Sequence, residues 1–309
     1  MSLTMELDLE RLAMSPEDAA ALDADARMAR VAELLQEAFD ILDYGIESMI
    51  TTQDRRVAAL CILFSGGNDS TTLAHIFRLR ADFAIHANTT IGIEQTRQFV
   101  RDTCELWKLP LKEISPPPGS TYRELVMEQG FPGPALHYKM YQRLKERALQ
   151  QARREIVIHP RQERVVFLAG RRRTESARRA NVPELNRTGS IVWISPLVNW
   201  TKVDLNTYRE IMGDVPRNEV ADLIHMSGEC LCGAFAHKNE LEEVGMFFPD
   251  VVAEIKALEA EVRAAGKAPE QRCNWGWGAT KNITAGQLKS GPLCTSCEYR
   301  MDQQQEHAH

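Results

Sequence analysis

One short segment of the sequence combines a glycine pair with hydroxyl and carboxylate side chains, a set of groups suited to binding an anion. Glycine lets the backbone approach a ligand closely, and the N–H groups that begin a following helix attract negative charge. The patterns GxxxxGK(S/T) and GxGxxG do not fit this segment, so it is a phosphate-binding loop of another type or an ordinary turn that caps a helix. We favour the phosphate-binding loop, called the glycine-pair loop below, with the candidate residues Ser65, Gly66, Gly67, Asn68, Asp69, Ser70 and Thr71.

A cluster of arginines follows another apolar stretch, in the segment GRRRTESARRAN at residues 170–181. Guanidinium groups at the end of a strand can donate charge-assisted hydrogen bonds to phosphate or sulfate oxygens. Because a helix is predicted to begin at residues 175–176, the alternative is an exposed basic helix start. The candidate binding residues are Gly170, Arg171, Arg172 and Glu175, and we expect Arg172 to neutralise the charge of the ligand.

Five cysteines lie in the last third of the chain, as a C-x-C pair, a single position and a C-x2-C pair. Thiolates separated by two residues can converge on one metal ion or on one edge of an iron–sulfur cluster. Zinc fits the spacing as well as iron does, and the spacing does not select four of the five ligands. The candidate metal ligands are Cys230, Cys232, Cys273, Cys294 and Cys297. By contrast, Cys61 and Cys104 lie in an apolar strand and a helix and are predicted to be core residues.

The elements that must position these residues are predicted from hydrophobic periodicity. The apolar run at 57–64 lacks polar alternation, which is typical of a strand buried on both faces. Further strands are predicted at 83–90, 111–114, 165–169 and 191–194, and helices at 70–80, 94–106, 138–158, 202–212 and in pieces from 16 to 50. Strands that alternate with helices indicate an α/β fold with a doubly wound, mostly parallel sheet.

Ligands of such sheets bind beyond the carboxyl ends of the strands. Three polar loops meet this condition: the glycine-pair loop, residues 88–90 after the second strand, and residues 170–173 after the fourth. We therefore expect all three loops to line one crevice.

The composition is ordinary for a globular protein, with 44% hydrophobic and 26% charged residues. No apolar run approaches the about 20 residues that span a bilayer, and the acidic N-terminus does not resemble a secretory signal. We therefore expect a cytoplasmic protein without membrane contact. The net charge is −6, but residues 139–187 contain 14 Lys/Arg against 5 Asp/Glu, which suits an anionic ligand. Within this stretch, residues 139–154 are interpreted as a solvated helix face.

Four segments resemble, in the same order, the phosphoadenosine phosphosulfate (PAPS) reductase family of PP-loop nucleotide enzymes. SGGNDS is similar to the family's SGGxDS loop, and HANTTIGIEQT resembles its second-strand region, where Glu94 and Thr96 match. GRRRTES fits the pattern GxRxxES, and ISPLVNWTKVDLNTYRE resembles the segment PLxxWtxxDVxxY. The four segments cover residues 57–232, and their shared order is stronger evidence than any one motif.

The resemblance implies that the glycine-pair loop holds the phosphates of ATP or a PAPS-type adenine nucleotide, with Mg²⁺ bridging oxygens. It implies that Asn88 and Thr89 lie near the nucleoside and that Arg172 faces the anionic end. The implied enzyme cleaves at the α-phosphate and activates an acceptor, such as a nucleic acid, for sulfur transfer from a sulfur donor or thiol reductant. Related enzymes commonly carry an iron–sulfur cluster, which favours [4Fe-4S] over zinc.

On this basis the chain divides into an N-terminal helical segment (1–55), a PP-loop nucleotide-binding domain (56–215) and a cysteine-rich metal-binding or cluster-binding region (216–309). The sequence leaves the oligomeric state open, a homodimer included.

Two departures from the family affect the predicted reaction. Its PAPS reductases end in Glu-Cys-Gly-x-His, whose cysteine attacks the sulfate sulfur, whereas this chain ends in QQQEHAH; it also lacks the adjacent cysteines of adenosine phosphosulfate reductases. Sulfur transfer is therefore ranked above sulfite production, and a non-catalytic nucleotide-binding accessory protein is a third hypothesis. The candidate catalytic residues are Asp69, Ser70 and Arg172, with Cys230 or Cys232 as the nucleophile of a reductase.

Overall fold

The computed structural model describes residues 12–176 and 179–278. Within them, the sheet consists of β1 (Arg56–Leu63), β2 (Phe83–Ala87), β3 (Leu111–Ile114), β4 (Glu163–Leu168), β5 (Leu185–Thr188) and β6 (Ile191–Ile194). The strand order is β3-β2-β1-β4-β6-β5, and neighbours pair in parallel except for β5 and β6. The predicted doubly wound, mostly parallel sheet is therefore confirmed.

The helices that surround the sheet follow the predicted alternation. They are α1 (Pro16–Ala21), α2 (Ala24–Met49), α3 (Asn68–Phe77), α4 (Glu94–Leu106), α5 (Tyr122–Gln129), α6 (His137–Tyr141), α7 (Arg147–Ile156), α8 (Lys202–Met212), α9 (Glu219–Ile224), α10 (Glu240–Phe247) and α11 (Pro249–Ala265). Among these helices none is long and apolar enough to cross a membrane.

The two faces of the sheet are covered by different helices. On one face, Leu60 and Ile62 of β1 belong to a buried cluster with side chains of α2, α3, α4 and α8. On the other face, Cys61 and Leu63 pack in a second cluster with α7. This alternation along β1 explains why its sequence is apolar from Val57 to Leu63. Cys61 and Cys104 are both buried, as predicted.

The long helix predicted at 138–158 is interrupted. Residues Gln142–Glu146 form a π-helical turn between α6 and α7. Such a turn widens the helix by one residue and is often found at functional sites. Periodicity alone cannot reveal it, because the apolar positions on either side still repeat at helical spacing.

Two features at the far edge of the sheet differ from the sequence analysis. The antiparallel strand β5 was not predicted, since three of its four residues are exposed and no apolar alternation marks it. The helix expected to begin at residues 175–176 does not form: Arg173–Glu175 make a single 3₁₀ turn, and Ser176 is extended with φ −166°. Arg178 lies outside the described residues.

The C-terminal region packs beyond the sheet. A third buried cluster joins α5 and α11 to the loops that carry Cys232, Cys273 and Trp275. Residues 227–231, called the covering segment below, lie beside the loop that follows β2: Ile93 N donates to Gly228 O at 2.7 Å and Leu231 N donates to Ile91 O at 2.9 Å.

Candidate functional site

The glycine-pair loop connects the carboxyl end of β1 to the first turn of α3, as the sequence predicts. Gly66 has φ +80°, which is in the left-handed region, and a Cβ there would lie 2.9 Å from Thr96 Cγ2. Gly67 is the residue before α3, and no side chain caps the helix there. The N-terminal N–H groups of α3 can therefore bind a ligand anion.

Hydroxyl groups brace the loop from within. Ser70 Oγ donates to Gly67 O at 2.9 Å and lies 3.1 Å from Ser65 Oγ. Thr71 Oγ1 also donates to Gly67 O at 2.9 Å, and its side chain is buried. Ser65 and Ser70 border the cavity described below, whereas Thr71 does not. Thr71 thus supports the loop and does not contact the cavity.

The arginine-rich loop after β4 touches the glycine-pair loop directly. A Cβ at Gly170 would lie 3.1 Å from the carbonyl carbon and oxygen of Asp69, so the two backbones approach as closely as glycine permits. Arg172 Nε donates to Asp69 Oδ2 at 2.9 Å, and its Nη1 donates to Thr174 Oγ1 at 3.2 Å. The sequence predicted separate roles for Asp69 and Arg172; the structure joins them as an ion pair.

The pKa values of the neighbouring residues Arg171 and Arg172 are shifted in opposite directions. Burial alone would lower the pKa of Arg172, but the carboxylates of Asp69 and Glu175 outweigh it and hold that pKa above its ordinary value. For Arg171, burial and then the charge of Arg179 lower the pKa to about 10, and Tyr141 offsets a smaller part. Arg171 Nε donates to a neutral group, Ser195 Oγ, at 2.8 Å.

These loops surround a cavity of about 200 Å³ at the carboxyl ends of β1, β2 and β4, called the central cavity. One wall is apolar, with Leu63, Ile85, Ala87, Leu149 and Ala169. The charged lining residues are Lys145, Arg171, Arg172, Arg179, Lys202, Asp69, Glu175 and Glu229. Cations therefore outnumber carboxylates, which favours an anionic ligand with an apolar part.

The structure does not bring Asn88 or Thr89 to the wall of the central cavity. Asn88 Nδ2 donates to Glu113 Oε1 at 2.9 Å, and Thr89 is buried, with Oγ1 donating to Glu229 O at 2.7 Å. The two side chains hold the loop and the covering segment together. Ala87, which immediately precedes Asn88, does line the cavity.

Sequence reasoning missed four charged residues of the cavity: Lys145, Arg179, Lys202 and Glu229. Lys145, in the π-helical turn, lies with its Nζ 2.6 Å from Glu229 Oε2 of the covering segment. Both side chains are largely buried and line the cavity, so the interpretation of residues 139–154 as a solvated face is wrong for Lys145. The proximity of Glu229 to the C-x-C pair was the only signal in the sequence that could have singled it out.

The described cysteines lie beside the cavity and do not line it. Cys232 and Cys273 are buried in the third cluster, with Cys230 packed against it, and Tyr122 Oη donates to Cys232 O at 2.9 Å. Among residues 12–176 and 179–278, no three Cys, His, Asp or Glu side chains form a metal-binding group. Cys294 and Cys297 lie outside these residues. The described part of the chain therefore does not by itself form a site for a cluster or for zinc.

The model of the phosphoadenosine phosphosulfate reductase domain matches residues 59–222. Among curated proteins no match was found.

Similar solved structures include the PAPS reductase of Candida auris in its phosphate complex (18% identity, 63% of this chain and 91% of that chain, TM-score 0.44). They also include FMN adenylyltransferase of Candida glabrata with FAD and inorganic pyrophosphate (12%, 68% and 70%, TM-score 0.45). A third is the U34-tRNA thiolase NcsA of Methanococcus maripaludis with its [4Fe-4S] cluster (11%, 88% and 87%, TM-score 0.41). Because the family model matches more than half of the length of this chain, the chain belongs to the phosphoadenosine phosphosulfate reductase domain family.

Proposed function

We propose that this protein binds ATP or a related adenine nucleotide in the central cavity and cleaves it at the α-phosphate to activate an acceptor for sulfur transfer. The observation that carries the proposal is the convergence of an uncapped helix start, a glycine-pair loop and buried arginines on one cavity that also has an apolar wall. The loop and arginines suit phosphates, and the apolar wall suits a base.

In the proposed reaction an acceptor oxygen attacks the α-phosphorus, and the bond from that phosphorus to the oxygen bridging it to the β-phosphate breaks. Pyrophosphate leaves, and the acceptor becomes adenylated and open to attack by a sulfur nucleophile. Catalysis then depends on positioning and on stabilising negative charge. The N–H groups of the glycine-pair loop and the hydroxyls of Ser65 and Ser70 bind phosphate oxygens in this scheme.

The guanidinium of Arg172 is the second source of positive charge in the cavity, after the N-terminal N–H groups of α3, and Asp69 positions it. Asp69 accepts a hydrogen bond from Arg172 Nε and so orients the planar guanidinium, which is largely buried. A guanidinium held in this way can present two parallel N–H groups to a phosphate, which an ammonium group cannot do. Asp69 is therefore a positioning residue in the proposal.

PAPS reduction is the second candidate, and the family match favours it. That reaction needs a thiol that attacks the sulfate sulfur and an external thiol reductant. Cys230 and Cys232 belong to the third cluster and do not line the cavity, so acceptor activation is preferred. No step of the proposal is routed through the Mg²⁺ or the iron–sulfur cluster expected from the sequence, and among the described residues no cluster-binding group forms.

Two assays separate the candidates. Pyrophosphate release from ATP in the presence of candidate acceptors supports acceptor activation, whereas sulfite release from PAPS with a dithiol supports reduction. Neither product, together with tight nucleotide binding, would support the accessory protein.

Binding is tested with Ser70→Ala and Arg172→Lys, measured by calorimetry. Loss of a charge-assisted hydrogen bond should raise the Kd for ATP or PAPS by roughly tenfold or more. Ser48→Ala, on α2, is the matched control and should leave the Kd unchanged. Unchanged affinity in both cavity variants would contradict the proposal.

A further inference from the structure

Two buried side chains that line the central cavity each have a polar atom that no described residue satisfies. They are His86 on β2 and Glu229 of the covering segment, which are 1% and 3% exposed. Within residues 12–176 and 179–278, His86 Nε2 and Glu229 Oε1 have no hydrogen-bond partner. A buried polar atom without a partner is unfavourable, so a ligand that supplies the partner gains affinity.

The bond made by the other ring nitrogen of His86 determines what Nε2 can do. Nδ1 lies 2.9 Å from Phe64 O, and because a carbonyl oxygen only accepts, Nδ1 carries the proton. A neutral imidazole that donates from Nδ1 has a lone pair at Nε2. His86 therefore offers the cavity an acceptor, and the ligand atom that meets it must be a donor.

Glu229 is an acceptor because it forms an ion pair. Its Oε2 lies 2.6 Å from Lys145 Nζ. An ionised carboxylate has only acceptors to offer, so Oε1 also requires a donor from the ligand. A phosphate at this position would have to displace a buried carboxylate from its lysine, which is costly.

His86 lies between the glycine-pair loop and the apolar wall of the cavity. Phe64, to which His86 donates, immediately precedes the loop in the chain. Ile85 and Ala87, on either side of His86, belong to the apolar wall. The acceptor of His86 is therefore placed where a ligand passes from the phosphate-binding loop to the apolar wall.

Glu229 occupies a similar intermediate position. The covering segment touches the glycine-pair loop, since a Cβ at Gly67 would lie 3.2 Å from Ser227 Cβ. On the other side, its partner Lys145 lies four residues before Leu149, which belongs to the apolar wall. With phosphates at the loop and a base at the wall, the part of a nucleotide that lies between them is the ribose.

We propose that His86 and Glu229 bind the free hydroxyl groups of the ribose, so that the protein selects a nucleotide whose ribose carries no phosphate. This inference deepens the proposed function and rests on it for the placement of the phosphates and the base. Each free hydroxyl can donate one hydrogen bond to an acceptor, whereas a phosphate on the 3′ oxygen replaces a donor by an anion. The site therefore selects ATP over PAPS, which carries that phosphate.

Calorimetry with adenine nucleotides tests the inference. The Kd values of AMP, adenosine 3′,5′-bisphosphate, 2′-deoxy-AMP and 3′-deoxy-AMP are measured for wild type. Wild type should bind AMP roughly 10- to 100-fold more tightly than the bisphosphate, because a donor to buried acceptors is replaced by an anion. At least one deoxynucleotide should bind roughly tenfold more weakly than AMP, and it identifies the hydroxyl that donates.

His86→Asn removes the acceptor with the least disturbance. The asparagine amide can still donate to Phe64 O in place of Nδ1, but nothing replaces Nε2. This variant should bind AMP roughly tenfold more weakly and depend less on the ribose hydroxyls. A purely structural role of His86 would change the Tm and leave the ratios of the Kd values as in wild type. His159→Asn, at an exposed position after α7, is the matched control.

Glu229→Gln keeps the shape of the side chain and removes its charge. It should remove most of the preference for AMP over the bisphosphate. Because this change also removes the carboxylate that pairs with Lys145, the double variant Lys145→Met/Glu229→Gln is measured beside it and should lose the preference as well. Glu242→Gln, exposed on α10, is the matched control and should keep the wild-type preference.

The inference is overturned if wild type binds the bisphosphate as tightly as AMP or more tightly. It is also overturned if His86→Asn and Glu229→Gln keep the wild-type ratios of the Kd values. In both cases nucleotide binding persists, and the proposed function stands without the ribose selection. If wild type binds none of the four nucleotides, the proposed function fails and the inference falls with it.

Discussion

The glycine-pair loop and the covering segment both border the central cavity, but they are held in place differently. Each hydrogen bond that braces the glycine-pair loop through Ser70 and Thr71 stays within residues 65–71. The covering segment bonds to a distant part of the chain: Thr96 Oγ1 donates to Ser227 O at 2.6 Å, and Thr89 Oγ1 donates to Glu229 O at 2.7 Å.

The two regions therefore depend on different residues for their position. The glycine-pair loop adds remote contacts to this internal bracing, since Asn218 Nδ2 donates to Gly66 O and Arg172 Nε donates to Asp69 Oδ2, both at 2.9 Å. A segment held by remote partners requires a close fit between two surfaces. Gly92 is the tightest point of that fit, since a Cβ there would lie 2.3 Å from Glu229 O.

The largest effect on stability is therefore expected from Gly92→Ala. The added methyl group cannot fit against the backbone of Glu229, and overpacking should lower the free energy of unfolding by about 3 kcal/mol. Urea unfolding measures it. Gly245→Ala, inside α10, is the comparison: its Cβ would lie 3.3 Å from the movable Cγ2 of Val252 and alanine favours a helix, so its loss should be much smaller. Equal effects of the two substitutions would show that the covering segment adapts.

A smaller loss is expected from Lys145→Met. The buried Glu229 carboxylate loses its ion-pair partner, which should cost about 2 kcal/mol of unfolding free energy, less than for a fully buried pair because Lys145 keeps some exposure. The double variant Lys145→Met/Glu229→Gln should recover part of this loss. Lys139→Met, exposed on α6, serves as the control. A double variant no more stable than Lys145→Met would argue that the pair has no role in holding the segment.

Metal removal should have the smallest effect on the described residues. The third cluster is held by apolar packing and by hydrogen bonds such as Trp275 Nε1 to Leu231 O at 2.7 Å. If Cys294 and Cys297 carry an iron–sulfur cluster, anaerobic protein should contain iron and acid-labile sulfide, and Cys297→Ser should reduce both. Chelation should then leave the cooperative unfolding transition of the described residues in place, because packing and hydrogen bonds hold them. Loss of the cooperative transition on chelation would mean that the metal organises this region.

The sequence predicted the helices and strands whose bounds are set by neighbouring residues. The bounds of α4, β3, β6 and α8 agree with prediction because each has a clear period and a clear start or stop. The glycine-pair loop was also predictable, since only a turn fits between a buried strand and an amphipathic helix. The ion pair of Asp69 with Arg172 was not, because its two residues are far apart in the chain and meet only through the parallel pairing of β1 and β4.

The same limit applies to Lys145 and Asn88. Whether a lysine on a basic helix faces solvent or a cavity depends on the π-helical turn, which leaves no mark in the hydrophobic pattern. The amide of Asn88 could bind a ligand, and only the tertiary arrangement reveals that its Nδ2 donates to Glu113 Oε1.

The composition of the cavity wall has a consequence for biosynthesis. The family match ends at residue 222, but Ser227 and Glu229 complete the wall. A nascent chain released only as far as residue 222 can pair all the strands of the described sheet and still present an open cavity. Ligand binding should therefore become possible only late in translation, and a truncation designed on the family boundary should fold its sheet and yet fail to retain a nucleotide.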